Sequence, residues 1–562
     1  MKNWVGRALA APVTIWLLVA FAAPLLVVVL LSLQPVSDPF APLFTSFSGA
    51  QFKELFSDTF YLSVLLKTTV LAMAVCGVTI LLGYPMALWI VSLPPRRRPL
   101  AMSIVLVPLL VNVVVRSLGV ELLLAPDGLV NSCLKAIGLP SNSHMLYTYG
   151  AIGVGLVQAF LPFMILSLYD VLQATPPRVM EAAQSLGASR ATRFFTVELP
   201  FSLPGLRDGA TIVFLMASST YVSARMLGGK KAWTTGMLVW QEVLENLNGQ
   251  FASALAVVTT LICLVASVVI VLAISRLTPW LSLRPARAWS MPRVVVAMLD
   301  TVIQPLACAL VVVAIALLLL PLVLVFVQSF NNVPQATLAG FRGFTFQWYA
   351  QLFRNRLYFD SFWISLKLAV TASFIAVLLA TAAAFASVRG RFAEKPILEA
   401  FWIFPIALPQ IAIGIGMLRL LQAFETLPVF LGLLAVHVTV TLPYCIGLLR
   451  TSVLQLDRTL EEAASGLGAN SLRRFALIVL PDLAPGLATA AIVAILLSFE
   501  EVTVTSFLTT ARTITLPVRI YAEASYSLTP TVFAISTLMI AMTVLALFVL
   551  GRLVRLDRVF SR

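Results

Sequence analysis

The stretch from Glu181 to Leu206 reads EAAQSLGASRATRFFTVELPFSLPGL, and the stretch from Glu462 to Leu487 reads EAASGLGANSLRRFALIVLPDLAPGL. The two align without a gap, and half of their positions are identical. Their numbering differs by 462 minus 181, or 281, which is half of the chain length of 562. Because self-similarity at a fixed period marks a repeated architecture, the sequence predicts two tandem halves built to one plan.

The composition around this repeat is that of a membrane protein. Hydrophobic residues make up 60% of the chain, charged residues 11%, and the mean hydropathy is +0.98. Many apolar runs reach the roughly 20 residues that a helix needs to cross the hydrocarbon, so we predict an all-α polytopic protein. Its twelve apolar segments are centred near residues 22, 77, 111, 158, 214, 264, 311, 373, 408, 441, 494 and 543.

The N-terminal apolar run, from about Ala8 to Leu33, follows Lys2 and Arg7. A secretory signal has an apolar region of only about 7–15 residues. We therefore interpret this run as the first transmembrane helix, which is retained in the protein.

The net charge of +14 is concentrated in every second loop and at both termini. These basic segments are PPRRRP (94–99), the stretch with Arg178, Arg190 and Arg193, the segment 276–293, RGRFAEK (389–395), the segment 450–474, and the C-terminal tail. The positive-inside rule predicts that they and both termini are cytoplasmic. Loops such as 34–60, 125–146 and 329–357 then face outward, and the two halves share one orientation, as in parallel repeats.

This topology divides the chain into a first half of six spans (1–275), a cytoplasmic linker (276–293), and a second half of six spans (294–562). The repeated motif lies in a cytoplasmic loop of each half, at 178–198 and 459–479, between the fourth and fifth spans. An ordinary interfacial hairpin would suit either loop alone. Two near-identical copies favour a shared function instead.

Each repeated residue has a physical reason to be there. A glutamate near a helix start suits the positive end of the helix dipole, two alanines let a partner approach the backbone, a glycine permits a turn, and a proline fits a first helical turn. The residues concerned are Glu181, Ala182, Ala183, Gly187 and Pro200, with Glu462, Ala463, Ala464, Gly468 and Pro481 in the second half.

The motif E-A-A-(x)3-G followed by L-P resembles the cytoplasmic coupling loop of permease subunits of binding-protein-dependent ABC importers. Further strings, among them ELFSDTFYLSVLLKTT (54–69), LLGYPMALWIV (81–91) and SFEEVTVTSFLTTARTITLPVRIY (498–521), resemble the spermidine/putrescine-type permeases. Permeases for ferric iron, aminophosphonates and opine-like compounds are relatives of that branch. The two permeases of that system are usually separate chains, and fused pairs also resemble the ferric-iron importers.

The resemblance implies a type I ABC importer permease that moves a small cationic organic solute from periplasm to cytoplasm by alternating access in a bacterial inner membrane. It also implies two copies of a cytoplasmic ABC ATPase docked on loops 178–198 and 459–479, and a periplasmic solute-binding protein. ATP and Mg²⁺ would be held by the ATPase. The chain itself has no G-x-x-x-x-G-K-[ST] string and no CxxC or other metal-ligand spacing, so we expect neither catalysis nor a bound cofactor.

Two adjacent acids, Glu500 and Glu501, lie in the apolar segment AILLSFEEVTVTSFL (494–508). A carboxylate at the centre of a span costs about 2.5–3.5 kcal/mol. On a continuous helix Ser498, Glu501 and Thr505 would form one polar stripe, which favours Glu501 for the substrate pathway, while Glu500 would meet a neighbouring helix.

The same offset of 281 relates the two acids to Ser219 and Thr220 of the first half, which are followed by Tyr221. A path with acids on one side and hydroxyl and aromatic groups on the other suits a cation, and Phe499 and Tyr221 would add cation–π contacts if they face it.

Three alternatives remain open at the level of sequence. The acids would instead neutralise intramembrane bases, for which Arg116, Arg225 and Arg419 are the candidates. Arg116 would otherwise bind an anionic group of a zwitterionic cargo. A secondary carrier also commonly has twelve spans in two parallel halves, although it has no use for two ATPase-type loops. His437 is interpreted as a polar packing residue.

Overall fold

The computed structural model describes residues 3–35, 47–138, 144–276, 293–333, 341–424, 426–526 and 529–554. Within these ranges the regular structure is helical, and the single bridged pair is Asn331 with Phe344. The all-α prediction is confirmed. Of the predicted linker 276–293, all but the two end residues lie outside the described residues.

The N-terminal half contains fourteen helices among the described residues. They are α1 (Asn3–Leu17), α2 (Ala23–Ser32), α3 (Ala50–Ser57), α4 (Thr59–Ser92), α5 (Arg98–Leu109), α6 (Val113–Leu124), α7 (Leu129–Ala136), α8 (Tyr149–Ala174), α9 (Pro177–Ser185), α10 (Arg190–Arg193), α11 (Leu199–Ser218), α12 (Val222–Gly228), α13 (Thr235–Leu244) and α14 (Gly249–Arg276). A π-helical turn joins α1 to α2, and another joins α10 to α11.

The C-terminal half follows the same order over its described residues. Its helices are α15 (Arg293–Gln328), α16 (Gln347–Arg354), α17 (Arg356–Arg389), α18 (Lys395–Ala407), α19 (Gln410–Ala423), α20 (Val429–Leu454), α21 (Arg458–Gly466), α22 (Ser471–Arg474), α23 (Leu480–Phe499), α24 (Thr505–Leu508), α25 (Leu516–Tyr526) and α26 (Pro530–Val554). A π-helical turn joins α22 to α23, as one joins α10 to α11.

The described residues contain nine helices that are long and apolar enough to cross a membrane, and twelve spans if each of three bent pairs counts as one. All twelve predicted centres fall within these spans. The spans near residues 111 and 408 are sharply bent, by 94° and 92°. The first of these bends follows Pro108 inside α5, and the side chain of Asn112 accepts the Val114 N–H at 2.8 Å to begin α6.

The repeat extends through each half, but not at one constant offset. Helices α4 and α17 are equally long, with 34 residues each, and their first residues are Thr59 and Arg356, an offset of 297. Helices α11 and α23 have 20 residues each, and their first residues are Leu199 and Leu480, an offset of 281. The offset changes between α6 and α8, where the first half carries α7 and a longer connection. The offset of 281 therefore applies to the C-terminal part of each half.

Equivalent side chains make equivalent contacts in the two halves. The Cys76 thiol contacts the Ala210 carbonyl at 3.7 Å, and in the second half the Ser373 hydroxyl donates to the Ala491 carbonyl at 3.0 Å. Both contacts join the second span of a half to its fifth. The polar residue at 76 or 373 thus ties the same two helices in both copies.

The chain packs into two compact units that cut across the sequence halves. One contains residues 1–54, 239–257 and 346–562, and the other contains 55–238 and 258–345. The reason is that α1 packs on α17 of the second half, whereas α15 packs on α4 and α6 of the first half.

In the unit that contains residues 346–562, α17 presents a buried row of alanines to α1 and α20. These residues are Ala369, Ala372, Ala376, Ala380 and Ala383. Small side chains let membrane helices approach closely, which increases their van der Waals contact. The Trp402 indole donates to the Thr14 hydroxyl at 3.1 Å and the Trp16 indole to the Thr439 hydroxyl at 3.3 Å, so polar bonds also hold the first span in place.

In each unit one glycine of a third span lies so close to the backbone of a first span that a side chain would not fit. A Cβ on Gly416 would lie 2.1 Å from the carbonyl oxygen of Pro24, and a Cβ on Gly119 would lie 2.3 Å from the carbonyl oxygen of Pro321. The two glycines differ in number by 297, as do the two prolines. The contact between a first span and a third span is therefore repeated, and it leaves no room for a side chain.

We predict that Gly119→Ala and Gly416→Ala each destabilise the purified protein by about 1–3 kcal/mol, because the added methyl group overlaps a backbone oxygen. Thermal melting in detergent, followed by size-exclusion chromatography, measures the effect. The matched controls are Gly77→Ala and Gly447→Ala, which lie in helices with no atom within 4 Å of an added Cβ. Equal melting of all four variants would contradict the prediction.

Candidate functional site

The two repeated loops fold into closely similar helix–turn–helix units. Helix α9 ends at Ser185, where the Gly187 N–H bonds to the Gln184 carbonyl at 2.9 Å and the Ala188 N–H to the Ala183 carbonyl at 3.0 Å. This is a Schellman ending. Gly187 has a φ of 76°, which an L side chain rarely adopts.

Helix α21 ends in the same way in the second half. The Gly468 N–H bonds to the Ser465 carbonyl at 3.1 Å, the Ala469 N–H bonds to the Ala464 carbonyl at 3.0 Å, and Gly468 has a φ of 83°. The glycines at 187 and 468 are thus needed for their backbone conformation, as the sequence predicted for a turn.

The short helix after each turn begins with a capping side chain. Ser189 accepts the Thr192 N–H at 3.2 Å, and Asn470 accepts the Arg473 N–H at 2.8 Å. A side-chain oxygen at this position satisfies a free N–H of the first turn. Pro200 and Pro481 then fall in the first turn of α11 and α23, where proline is tolerated, so each loop leads directly into a fifth span.

The start of α21 carries a cap that α9 lacks. Asp457 accepts the Thr459 N–H at 2.8 Å and the Thr459 hydroxyl at 2.7 Å. These bonds, led by the hydroxyl, lower the pKa of Asp457 below its usual value. At the matching position before α9 stands Pro176, which has no side-chain acceptor.

Both loops present the same side chains to solvent. Glu181, Ala182, Glu462 and Ala463 are exposed, while Ala183 is half-buried and Ala464 is buried. The leucines at the ends of α9 and α21, Leu186 and Leu467, are 88% and 90% exposed. The two loops therefore expose an apolar side chain at equivalent positions.

The acids Glu500 and Glu501 do not lie on a continuous helix. Helix α23 ends at Phe499 and α24 begins at Thr505, so the helical stripe that the sequence analysis drew through Ser498, Glu501 and Thr505 is interrupted. Glu501 lies in the break, and its Oε1 accepts the Val504 N–H at 3.0 Å. The side chain therefore satisfies backbone that the broken helix leaves free.

His437 holds the two sides of this break together. Its Nδ1 lies 2.8 Å from the Ser498 hydroxyl, and its Nε2 lies 2.9 Å from the Thr505 hydroxyl. The imidazole is 1% exposed. Ser498 and Thr505 thus share one partner, though not one helical face. No spacing in the sequence links a histidine on the fourth span to two hydroxyls on the fifth.

Glu501 and Glu500 differ in their surroundings. Glu501 is 8% exposed, and its Oε2 has no hydrogen-bond partner among the described residues. Glu500 is half-buried, and its Oε1 accepts the Thr543 hydroxyl of α26 at 3.3 Å. Glu500 thus contacts a neighbouring helix. Phe499 is 3% exposed and packs edge-on against Phe362, with ring centroids 5.9 Å apart.

The first half has a break at the equivalent place. Helix α11 ends at Ser218 and α12 begins at Val222, with a bend of 62° between these segments. Ser219 and Thr220 are half-buried in the break, and the Ser219 hydroxyl bonds to the Met216 carbonyl at 3.3 Å. Tyr221 is 1% exposed, so its ring lies inside the protein. The fifth span is thus interrupted in both halves, but an acid lies in only one break.

The candidate bases have different local partners. The Arg116 Nη1 donates to the Ala159 carbonyl at 3.2 Å, and the Arg419 Nη1 donates to the Gln422 side chain at 3.2 Å. Arg225 lies on α12 and is half-buried. Whether the acids serve cargo or these bases therefore stays a prediction.

The described residues contain no group of three or more His, Cys, Asp or Glu that could hold a metal ion. Their cysteines are free thiols, of which Cys76, Cys263 and Cys445 are buried.

Residues 79–283 and 376–556 match the family of binding-protein-dependent transport system inner membrane components. The two matched segments contain the two repeated loops and cover more than half of the chain. The chain belongs to this family. The resemblance drawn from the E-A-A motif is confirmed, and a family member of this kind is a multi-pass membrane protein.

Among its relatives, the spermidine/putrescine transport system permease protein PotB of Haemophilus influenzae is 36% identical over 186 residues, which are 33% of this chain and 65% of that protein. PotB of Escherichia coli is 29% identical over 206 residues, 36% of this chain and 75% of that protein. The putrescine transport system permease protein PotI of Escherichia coli is 28% identical over 249 residues, which are 43% of this chain and 88% of that protein. This chain thus spans slightly less than two thirds of the first of these relatives.

Two solved structures show a weaker likeness. One is a bacterial ABC transporter involved in the import of the acidic polysaccharide alginate, with 20% identity, a TM-score of 0.41, and coverage of 49% of this chain and 97% of that one. The other is a bacterial alginate ABC transporter in complex with a pentasaccharide-bound periplasmic protein, with 20% identity, a TM-score of 0.40, and coverage of 51% and 97%. The family assignment rests on the sequence match.

We predict that His437→Leu lowers stability by about 1–3 kcal/mol, because two buried hydroxyls lose their imidazole partner. His437→Gln retains polar atoms and should lose less. Thermal melting in detergent measures both variants, with the exposed His144→Gln as the control. A melting temperature of His437→Leu equal to that of the unmodified protein would show that the imidazole does not hold the break together.

Proposed function

We propose that this chain is the transmembrane permease of an ATP-driven importer, with two fused halves that move a small organic cation from periplasm to cytoplasm by alternating access. The observation that carries the proposal is the duplicated loop of a binding-protein-dependent permease family, folded alike at 178–198 and 459–479. Both termini and both loops lie in the cytoplasm, as the distribution of basic residues indicates.

The energy source is a separate subunit. Two copies of a cytoplasmic ATPase dock on the two loops, and they bind the ATP and Mg²⁺ because this sequence has no phosphate-binding loop. The paired Glu–Ala–Ala surfaces and the exposed, apolar Leu186 and Leu467 support this docking. A periplasmic binding protein delivers the cargo, as the family's description implies.

The cargo class follows from the relatives and from the acids. Named relatives are permeases for spermidine and putrescine, which are cations at neutral pH. Two carboxylates at a break in the fifth span are the groups that attract such a cation within a membrane. Glu500 is the more exposed of the two, and Glu501 needs local rearrangement of the break before its Oε2 meets cargo.

A zwitterionic cargo, such as an aminophosphonate or an opine-like compound, is the second candidate. The observation in its favour is Arg116, a half-buried guanidinium in the bent third span of the first half. Ferric iron, the third candidate from the family resemblance, has fewer supporting groups, since no cluster of metal ligands occurs among the described residues.

We predict that reversing both loop charges, with Glu181→Arg and Glu462→Arg together, abolishes cargo-stimulated ATP hydrolysis in the reconstituted complex. The reason is that both acids are exposed on the docking surface. If the partner carries complementary positive charge there, an arginine at either position repels it. The measurement is ATPase activity in proteoliposomes with and without loaded binding protein. Reversal of the exposed Glu245 to Arg serves as the control, and undiminished stimulation in the double variant would refute the docking role.

We predict that Glu500→Gln and Glu501→Gln each slow the uptake of labelled putrescine by about tenfold or more, since a charge-assisted hydrogen bond contributes about 1.5–3 kcal/mol. Uptake into proteoliposomes at saturating binding protein measures this step apart from capture of the cargo. Glu245→Gln controls for the loss of one acid from the surface. Normal uptake by both variants would remove the two carboxylates from the pathway.

A further inference from the structure

The second coupling loop contains an acid that faces inward. In LEEAASGLG (460–468), Glu462 is the exposed glutamate of the repeated motif, whereas the side chain of the preceding Glu461 is only 15% exposed. Adjacent residues on a helix point about 100° apart. The two glutamates of α21 therefore face different partners.

Glu461 is held by an arginine at the inner end of the second span. The Arg389 Nη1 donates to Glu461 Oε2 at 2.8 Å, and Nη2 lies 2.5 Å from Oε1. The guanidinium belongs to the last residue of α17, is 14% exposed, and lies over the Phe385 ring at 5.2 Å from the centroid. The first contact is a charge-assisted hydrogen bond, which is shorter and stronger than a neutral one, and the second is a close ionic contact without hydrogen-bond geometry.

A second arginine, Arg474, contacts Glu461 from the helix that follows the turn. The Arg474 Nε lies 3.9 Å from Glu461 Oε2, and the same guanidinium donates to the Ser465 hydroxyl. Glu461 thus lies between the end of α17 and the helix that leads into the fifth span. Through this carboxylate, α21, which we call the second coupling helix, contacts both α17 and α22.

The loop that follows Arg389 is itself anchored within the same packing unit. Glu394 pairs with Arg7 of α1 at 2.8 Å, and Phe392 packs on Gly6, where a Cβ would lie 2.9 Å from its Cδ1. Gly390 leaves no room for a side chain either, since a Cβ there would lie 2.2 Å from the Ala386 carbonyl oxygen. The loop after Arg389 thus packs against α1.

The residues at the two matching positions of the first half are both uncharged. At an offset of 281 the counterpart of Glu461 is Met180, and at an offset of 297 the counterpart of Arg389 is Ser92, whose hydroxyl bonds to the Trp89 carbonyl at 2.7 Å. In the basic loop 94–99 of that half, Arg98 instead donates to the carbonyls of Val91 and Leu93, at 2.6 and 2.9 Å, near the end of the second span.

We propose that Glu461 is a positioning residue that fastens the second coupling helix to the inner end of α17 through Arg389. Displacement of α21 by the partner ATPase then passes directly to the second span of that half, whereas the first coupling helix acts on its spans without this charged connection. The two loops are therefore unequal in how they transmit force, although their exposed surfaces match. The inference rests on the proposed function, because it presumes that α21 is moved from outside.

The pair should be sensitive to the loss of either charge. Removing one member leaves the other charge largely buried and unpaired, which is unfavourable. Exchanging the two charges keeps their mutual attraction, although it places a second cation beside Arg474. An exposed pair contributes much less. Arg7 and Glu394, with side chains 58% and 51% exposed, provide the matched comparison on the same loop.

The test uses the intact complex of this chain with its ATPase and binding protein in proteoliposomes. The variants are Glu461→Gln, Arg389→Gln, the exchange Arg389→Glu with Glu461→Arg, and the control Arg7→Gln. For each, one measures co-purification of the ATPase, basal ATP hydrolysis, cargo-stimulated hydrolysis, and cargo moved per ATP.

We expect Glu461→Gln and Arg389→Gln to retain the ATPase and its basal activity while cargo moved per ATP falls by roughly tenfold, within the range of measured coupling changes. The exchange variant should recover at least part of this loss, and Arg7→Gln should behave as the unmodified protein. Full coupling in Glu461→Gln would overturn the inference, as would a loss explained entirely by failure of the ATPase to co-purify. An unmodified complex that shows no cargo-stimulated hydrolysis would instead refute the proposed function.

Discussion

Hydrocarbon cannot bond to backbone N–H and C=O groups, so every such group inside the membrane must find a partner within the chain. This constraint accounts for the helical structure of the described residues and also for what is built where helices stop. Asn112 caps the bend of the third span in the first half, and Glu501 accepts a backbone N–H in the break of the fifth span. His437 then joins the two sides of that break through Ser498 and Thr505. Buried polar residues such as Asn112, Glu501 and His437 therefore form hydrogen bonds where the helices of this chain are interrupted.

In the two repeated loops, the carbonyl groups at the ends of α9 and α21 are satisfied by turns that require a positive φ, which glycine adopts readily. The Schellman endings at Gly187 and Gly468 fix the direction in which the chain leaves α9 and α21. Inward-facing residues differ between the two loops, since Glu461 pairs with Arg389 while Met180 has no charge to pair. The two loops thus match in their glycine turns and differ in the side-chain contacts beneath them.

Sequence alone predicted the features that depend on composition and repetition. Twelve spans, two halves, the paired loops and the glycine turns all follow from apolar length, an ungapped internal match and the chemistry of glycine. It did not predict the helix breaks after Ser218 and Phe499, because an apolar stretch looks the same whether or not its helix is continuous. The partnership of His437 and the exchange of first spans, in which Gly416 meets Pro24, depend on contacts between distant segments. Pattern and spacing carry no information about such contacts.

The most direct test of the account is the energy source of transport. Proteoliposomes are prepared with this chain alone and with this chain plus its ATPase and binding protein, and labelled putrescine uptake is followed with ATP supplied on the ATPase side and with ion gradients abolished by ionophores. The account predicts uptake only in the complete system, dependent on ATP and unaffected by loss of the gradients. Accumulation by the chain alone, driven by an ion gradient and insensitive to ATP, would contradict it.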